Sequence, residues 1–478
     1  MPTIDFDDAD APTSREPAAQ AAVEAHSAGL RKDLGLADVT LTQILFIVGL
    51  PWVGVAAEQG RAHIVYWLIA LSLFYLPSAA VVTHLNRAMP LEGGLYQWAK
   101  LGFNDLTGFM VAWNLWLFAI LSTSETGLQV TQYLAYVVGP RGQWVTQSPW
   151  FVSAANVAIL SGLVAITVRG LSVGKWVHKA GGILMLTTFG MLLALPVLNV
   201  MHGTLHAYHP LAAAVPVVSL FSLNIAAKMG FGAFGGFEYV AIHAGECRNP
   251  ARTIARSVAI AAPVIAVMFI LGTSSVLALV PIDRIDLIAP IPQVLSIGFS
   301  ALGPASAVAP ITIVVLLGIR LAQASVSFAG NTRLPMVAGW DGLLPAWFTR
   351  LHGTYRTPAN SIVFVGAVTL AFSIAGLIGV GKQEAFQLLW NASGIFYALT
   401  YLVMFAIPIA AIPSPLWLKA AAASGFLMTL LYIVLSILPI VQVASWLSFA
   451  LKISLVIVLA NAVGFMIFAS KRSAPVRP

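Results

Sequence analysis

Two glycine-rich stretches, Gly49-Leu50-Pro51-Trp52-Val53-Gly54 and Gly230-Phe231-Gly232-Ala233-Phe234-Gly235-Gly236, interrupt long apolar segments at matching places in the chain. Glycine and proline inside a membrane span leave backbone amides and carbonyls without helical partners. Lipid cannot satisfy those groups, so a break persists only where protein, water or a ligand lines it. A broken helix early in each of two topologically related halves marks the solute site of a secondary carrier. The pair of breaks therefore points to a membrane protein that moves a small solute.

Composition agrees. Of 478 residues, 59% are hydrophobic and only 9% charged, with a mean hydropathy of +0.88. Soluble domains carry about 25% charged residues. Apolar stretches of about 20 residues, long enough to cross a hydrocarbon core of about 30 Å, recur along nearly the whole length. They do not alternate as barrel strands do, so the expected class is all-α. The single cysteine, Cys247, excludes an internal disulfide and a cysteine-based zinc site. Residues 1–30 carry Asp5, Asp7, Asp8, Asp10, Glu16 and Glu24 against Arg15, with no apolar core. That composition predicts a disordered cytoplasmic acidic tail rather than a signal peptide.

The hydropathy pattern predicts twelve spans, at about 38–60, 63–86, 104–138, 149–168, 175–200, 216–243, 256–281, 304–334, 359–380, 385–412, 416–438 and 444–469. With the N-terminus placed in the cytoplasm, 18 Lys and Arg fall on that side and 4 outside, while Lys228, Arg320 and Lys452 lie within spans. This positive-inside bias sets the orientation, with both termini cytoplasmic in the cytoplasmic membrane. It also accounts for the net charge of +7 without any nucleic-acid partner. Spans 1–5 then run opposite to spans 6–10, an inverted repeat. The expected organisation is a transport core over 31–412, with repeats at about 36–200 and 216–412. Two further helices over 413–470, suited to scaffold or homodimer contact, and a cytoplasmic tail over 471–478 complete it.

Several motifs resemble the amino acid–polyamine–organocation superfamily. After span 2 comes Pro90-Leu91-Glu92-Gly93-Gly94-Leu95-Tyr96-Gln97-Trp98, read as a loop. Span 6 ends in Phe234-Gly235-Gly236-Phe237-Glu238, then Gly245-Glu246-Cys247-Arg248-Asn249-Pro250-Ala251-Arg252-Thr253-Ile254. Span 8 is followed by Asp341-Gly342-Leu343-Leu344-Pro345 and Arg356-Thr357-Pro358. The combination, over about residues 30–470, is specific where each motif alone is not. The resemblance implies a LeuT-like five-plus-five fold with two extra helices. It also implies transport of amino acids or related amines, by proton coupling, sodium coupling or exchange with a counter-substrate, without a cofactor.

One departure bears on the substrate. The superfamily's first span usually carries G-[SA]-G, whose free amides bind a carboxylate. Here Pro51 stands in that stretch and has no N–H. The amides of Leu50, Trp52, Val53 and Gly54 remain candidates, and an amine or polyamine stays open beside an amino acid. The expected substrate wall comprises Gly49, Leu50, Trp52, Val53 and Gly54 from span 1, Asn114 from span 3, and Phe231, Gly232, Ala233, Phe234 and Gly235 from span 6. Phe231, Phe234 and Trp52 are the expected lid.

Charges inside a membrane cost about 2.5–3.5 kcal/mol on insertion scales, so each is a functional candidate. Glu125, Lys228, Glu238 and Arg320 are read as coupling or gating groups. Lys228 is placed either against Glu125 as an ion pair or against a substrate carboxylate. The resemblance suggests a pH-responsive role for Glu238. Arg320 lines the cavity, pairs with an acid or snorkels. Ser325 and Ser327 are weak sodium candidates, and no other metal site is expected.

Two apparent signals carry no chemistry. Gly170-Leu171-Ser172-Val173-Gly174 spells a hydrolase elbow, but it is expected in a cytoplasmic loop without the required strand and partners. His202, His206 and His209 have ligand-like spacing, yet no carboxylate lies near. An enzyme is thereby disfavoured. A substrate sensor without net flux is the distant alternative, and it lacks an appended signalling domain.

Overall fold

The computed structural model describes residues 21, 25, 30, 32–303, 307–340, 342–375, 382–440, 443 and 445–472. The tails expected over 1–30 and 471–478 lie almost wholly outside the described residues. Within those residues the chain is helical, its one β contact being a bridge between Leu34 and Cys247.

Span 1 is split into Leu36–Ile47 and Trp52–Ala57. Span 6 comprises Leu220–Ala227, a π-turn over Lys228–Gly232, and a tight Tyr239–Glu246 helix. The continuous members are span 2 (Gly60–Ala88), span 3 (Asp105–Val138), span 4 (Pro149–Arg169), span 5 (Leu171–Met201) and span 7 (Pro250–Leu279). Span 8 follows as Val308–Asn331 continuing into Leu334–Trp340, then span 9 (Ala359–Ala375) and span 10 (Lys382–Ala406, extended by Ile407–Ala411). Span 11 (Leu416–Ser436) and span 12 (Trp446–Arg472) close the series. Nine helices among the described residues are long and apolar enough to cross a membrane. With the two broken helices and span 9, the order is consistent with the twelve expected.

Local chemistry sets the starts. Asn104, Ser148, Ser219 and Asn249 each cap a helix by accepting from a backbone amide three residues on. Proline follows directly at Pro149 and Pro250, where its missing N–H has no helical partner to lose. Span 2 carries a π-turn over Leu71–Tyr75, and the carbonyl of Leu73 accepts from Ser424 of span 11 at 2.7 Å.

Four expectations are corrected. Span 5 begins at Leu171, so the G-x-S-x-G run forms its first turn rather than a loop; Gly170 caps it at φ 80°. Span 6 becomes helical only at Leu220, after extended backbone. The stretch after span 2 is partly helical, over Leu95–Gly102. A helix not foreseen, Pro290–Ser300, packs between spans 7 and 8. Gly94 shows why that post-span-2 motif needs glycine: at φ +46°, a Cβ would fall 2.8 Å from the Ala241 and Ile242 backbone.

One apolar core joins both repeats, and it also takes in Leu418, Ala422 and Tyr432 of span 11. Trp67, Tyr75, Phe234 and Phe269 stack within it. Span 12 instead exposes Leu451, Leu455, Val458 and Leu459.

Candidate functional site

Between the two breaks lies a cavity of about 150 Å³, walled by spans 1, 3, 6, 8, 10 and 11. Its wall mixes aromatic rings with charged and amide groups, the character of a small-solute site. A larger hollow of about 300 Å³ near Phe109, Trp113 and Phe348 has no charged side chain in its wall. The smaller cavity is the candidate because its polar groups converge.

The break in span 1 is closed mainly by protein. Its amides at Gly49, Trp52, Gly54 and Val55 donate to the carbonyls of Ile47, Gly49 and, for the last two, Pro51, at 2.8–3.1 Å. Its unwound carbonyls, Leu45 O and Val48 O, accept from Gln323 Nε2 of span 8 at 2.9 and 2.7 Å. Sequence reading offered the amides of Leu50, Trp52, Val53 and Gly54 to the cargo. A buried carbonyl takes any donor in reach, and Gln323 is in reach.

The break in span 6 is served differently. Gly235 N–H returns to Phe231 O at 2.9 Å, ending the helix. Gly236, at φ +139°, donates its N–H to the Tyr401 hydroxyl at 2.6 Å. Tyr401 and Tyr397 both donate to the carboxylate of Glu238. Gln43 of span 1 donates to Phe237 O at 3.3 Å and accepts from Ser257 at 3.2 Å. The breaks also touch: a Cβ on Gly236 would lie 2.7 Å from Ile47 and 2.8 Å from Phe46.

Glu125 and Arg320 both line the cavity and face each other at 3.7 Å. This corrects the expected Glu125–Lys228 pair, since helix phase turns Lys228 away from span 3. Lys228 Nζ donates to Asn224 Oδ1 at 2.6 Å, one turn back on its own helix, and sits 6.0 Å above the Tyr432 ring.

Gly49, Leu50, Trp52, Phe231, Gly232 and Gly235 line the cavity. Trp52 meets Trp390 edge-on at 5.1 Å, and a Cβ on Gly232 would strike the Trp52 ring. Val53 and Gly54 face elsewhere: Val53 packs at Gly272 of span 7, and Gly54 at Pro290. Phe234 stacks on Tyr75 at 4.2 Å within the core, and Ala233 is buried outside the wall. Asn114 points to span 12, donating to Asn461 Oδ1 at 2.7 Å and Met110 O at 2.8 Å. Ser327 lines the cavity, whereas Ser325 faces His178 of span 5 at 3.3 Å. His202, His206 and His209 are exposed, and no group of metal-binding side chains occurs among the described residues.

At the face where span 1 begins, the cavity is sealed. Leu34 N–H donates to Glu246 O at 3.1 Å, and Arg248 N–H donates to Leu34 O at 3.3 Å. Glu246 pairs with Arg333 at 2.9 Å and His243 at 3.1 Å, and Glu92 accepts from Gly245 N–H at 2.7 Å. Burial, then the Glu246 charge, pushes Glu92 well above the carboxylate range. Phe46 and Tyr239 stack at 4.0 Å above this seal. The cavity wall instead runs toward the opposite face through Glu125, Gln129 and Trp390.

Sequence reading missed Gln43, Gln323, Trp390, Tyr397, Tyr401 and Tyr432. Tyr397 and Tyr401 were discoverable in principle, being four apart and so on one helix face. Nothing local marks either glutamine, because each serves a carbonyl nearly two hundred residues or more away.

Comparison with known proteins places this geometry. The family model described as "Amino acid permease" matches residues 34–460. An uncharacterized transporter of Legionella pneumophila is 23% identical over 386 residues, covering 79% of this chain and 81% of its own. The branched-chain amino acid permease BcaP of Bacillus subtilis is 22% identical over 381 residues, covering 75% and 80%. The crystal structure of MhsT in complex with L-phenylalanine aligns with a TM-score of 0.60 at 13% identity, covering 92% of this chain and 99% of that one. The chain thus has a LeuT-like fold.

Proposed function

We propose, from the premise that the chain belongs to the amino acid permease family, that it carries an amino acid across the cytoplasmic membrane by alternating access. The observation that carries this is the aromatic-lined cavity between the two helix breaks, with Glu125 and Arg320 in its wall. The excess of Lys and Arg at the face where span 1 begins favours that face as cytoplasmic, with both termini inside. The sealed end is then the inner gate, and the solute enters from outside.

Coupling to protons or exchange is favoured over sodium. The unwound carbonyls of span 1 already hold an amide donor from Gln323, which leaves a cation little to coordinate there. Glu238, buried between Tyr397 and Tyr401, is the proton-responsive group. An amine carrier is the second reading, supported by Pro51 and by the amides of Gly49, Trp52, Gly54 and Val55 already spent on carbonyls. The exposed apolar face of span 12 is offered to lipid or to a second copy in a homodimer.

The test is uptake into liposomes over an amino-acid and amine panel, with proton and sodium gradients imposed separately. Gly235→Val, whose side chain would crowd Phe231 O, is expected to abolish uptake while folded protein remains. Normal transport by that variant would remove the cavity from the mechanism.

A further inference from the structure

Glu125 and Arg320 are the charged side chains in the cavity wall, and each keeps an unpaired atom. The Glu125 side chain is buried, 6% exposed. Its Oε1 lies 3.7 Å from Arg320 Nη2, beyond hydrogen-bond distance, and its Oε2 has no partner. Arg320 Nη2 reaches Ser122 O and Thr126 Oγ1, both at 3.3 Å, while its Nε has none. Thr123 Oγ1 and Ser327 Oγ, whose residues line the same wall, are also unpaired. A buried ion pair kept for stability closes to bonding distance and fills its remaining donor and acceptor sites. This pair keeps an unpaired atom on each partner, in side chains that line the hollow.

The local backbone explains why the charges are needed there. Pro51 has no N–H, and the amides of Gly49, Trp52 and Gly54 donate to carbonyls, which leaves only the neutral Leu50 amide of the cavity-lining break residues. A carboxylate in the cavity therefore finds its strongest donor in the guanidinium. The other buried charges nearby are committed: Lys228 to Asn224, and Glu238 to Tyr397 and Tyr401.

We infer that Glu125 and Arg320 form a charge clamp for a net-neutral zwitterion whose ammonium and carboxylate lie side by side, as in an α-amino acid with an uncharged side chain. The inference rests on the carrier reading above and names its substrate class. The pair sums to zero charge, so a ligand dipole laid antiparallel to it satisfies all four groups and adds no net charge. An amine alone, or an acid alone, brings an unbalanced charge into a site of low dielectric. The rings of Trp52, Phe118, Phe231, Trp390 and Tyr397 are left for an apolar side chain.

The test uses the full-length protein and trios of probes: each uncharged L-amino acid, its decarboxylated amine and its deaminated acid. L-leucine, 3-methylbutylamine and 4-methylpentanoate form one such trio. Binding is read by thermal stabilisation in detergent, and transport by exchange in liposomes. The amino acid of the best trio is expected to bind at least about tenfold tighter than either relative, from two charge-assisted contacts. Arg320→Gln should weaken it about 10- to 100-fold and make the amine the best member of its trio. Glu125→Gln should invert the order toward the acid. If a single variant fails to fold, E125Q/R320Q, which removes both charges at nearly constant shape, should bind without preference within a trio.

An unchanged ranking in these variants, or an amine bound by the native protein as tightly as its amino acid, overturns the clamp. Transport with such a ranking leaves the carrier reading intact and removes only the clamp. Binding with the expected inversions but no transport does the reverse. Absence of both binding and transport removes the two together.

Discussion

In span 1 the interruption runs over the four residues between Ile47 and Trp52, and an amide, Gln323, holds its carbonyls. In span 6 the helix first widens into a π-turn, then unwinds past Gly235, and hydroxyls and a carboxylate hold it. An amide donor does not titrate. A carboxylate with two tyrosines does. The two breaks meet the same backbone requirement, yet only the second has the chemistry to respond to protons. Each is also served from the other repeat: Gln323 reaches back to span 1, and Gln43 of span 1 reaches forward to span 6. The halves are therefore interlocked at the points where each is weakest.

The comparison is broken most severely at Gly236, where the two breaks touch. Gly236→Ala puts a side chain at φ +139° and against Ile47 and Phe46. Left-handed strain alone costs about 1–3 kcal/mol, and the collision adds to it. The expected result is loss of transport with a clear fall in melting temperature, measured on purified protein and in liposomes. A fully active Gly236→Ala would show that the breaks do not meet in the working protein.

Next in size is Gln323→Leu, which leaves Leu45 O and Val48 O without their donor, at about 1–3 kcal/mol for each unpaired carbonyl. Uptake should fall at every pH, because nothing titratable has been changed. Gln323→Glu sharpens the point. Only its protonated carboxyl can donate, through one O–H to one of those carbonyls, so this variant should acquire a new pH dependence, losing its remaining uptake as pH rises. A pH profile parallel to that of the native protein would count against the assignment.

The smallest expected effect on stability is that of Glu238→Gln, which keeps the shape and hydrogen-bond partners of the neutral carboxyl. It should stay folded and transport, but with the pH profile of uptake flattened relative to the native protein. If the profile is unaltered, the difference between the breaks is structural and not functional.

The sequence carried the breaks themselves because glycine and proline act on the backbone where they stand, without help from distant residues. The same locality made Pro51 readable as a missing donor and Glu125 and Arg320 readable as costly charges. It did not say which charge meets which. Lys228 was placed against Glu125 or a substrate carboxylate, whereas helix phase turns Lys228 to Asn224 and brings Arg320 round to Glu125. Asn114 failed for the same reason, lying at cavity depth but rotated toward span 12. Span 11 was set aside by repeat counting, and yet Tyr432 reaches the cavity wall.

Hydropathy and backbone-breaking residues determined by themselves that this is a broken-helix membrane protein, since those properties depend on one residue or one segment. Tertiary structure alone decided what fills each break and which charges face the hollow. Those outcomes depend on rotation about helix axes and on partners remote in the chain, and burial makes such partnerships obligatory without naming them in advance.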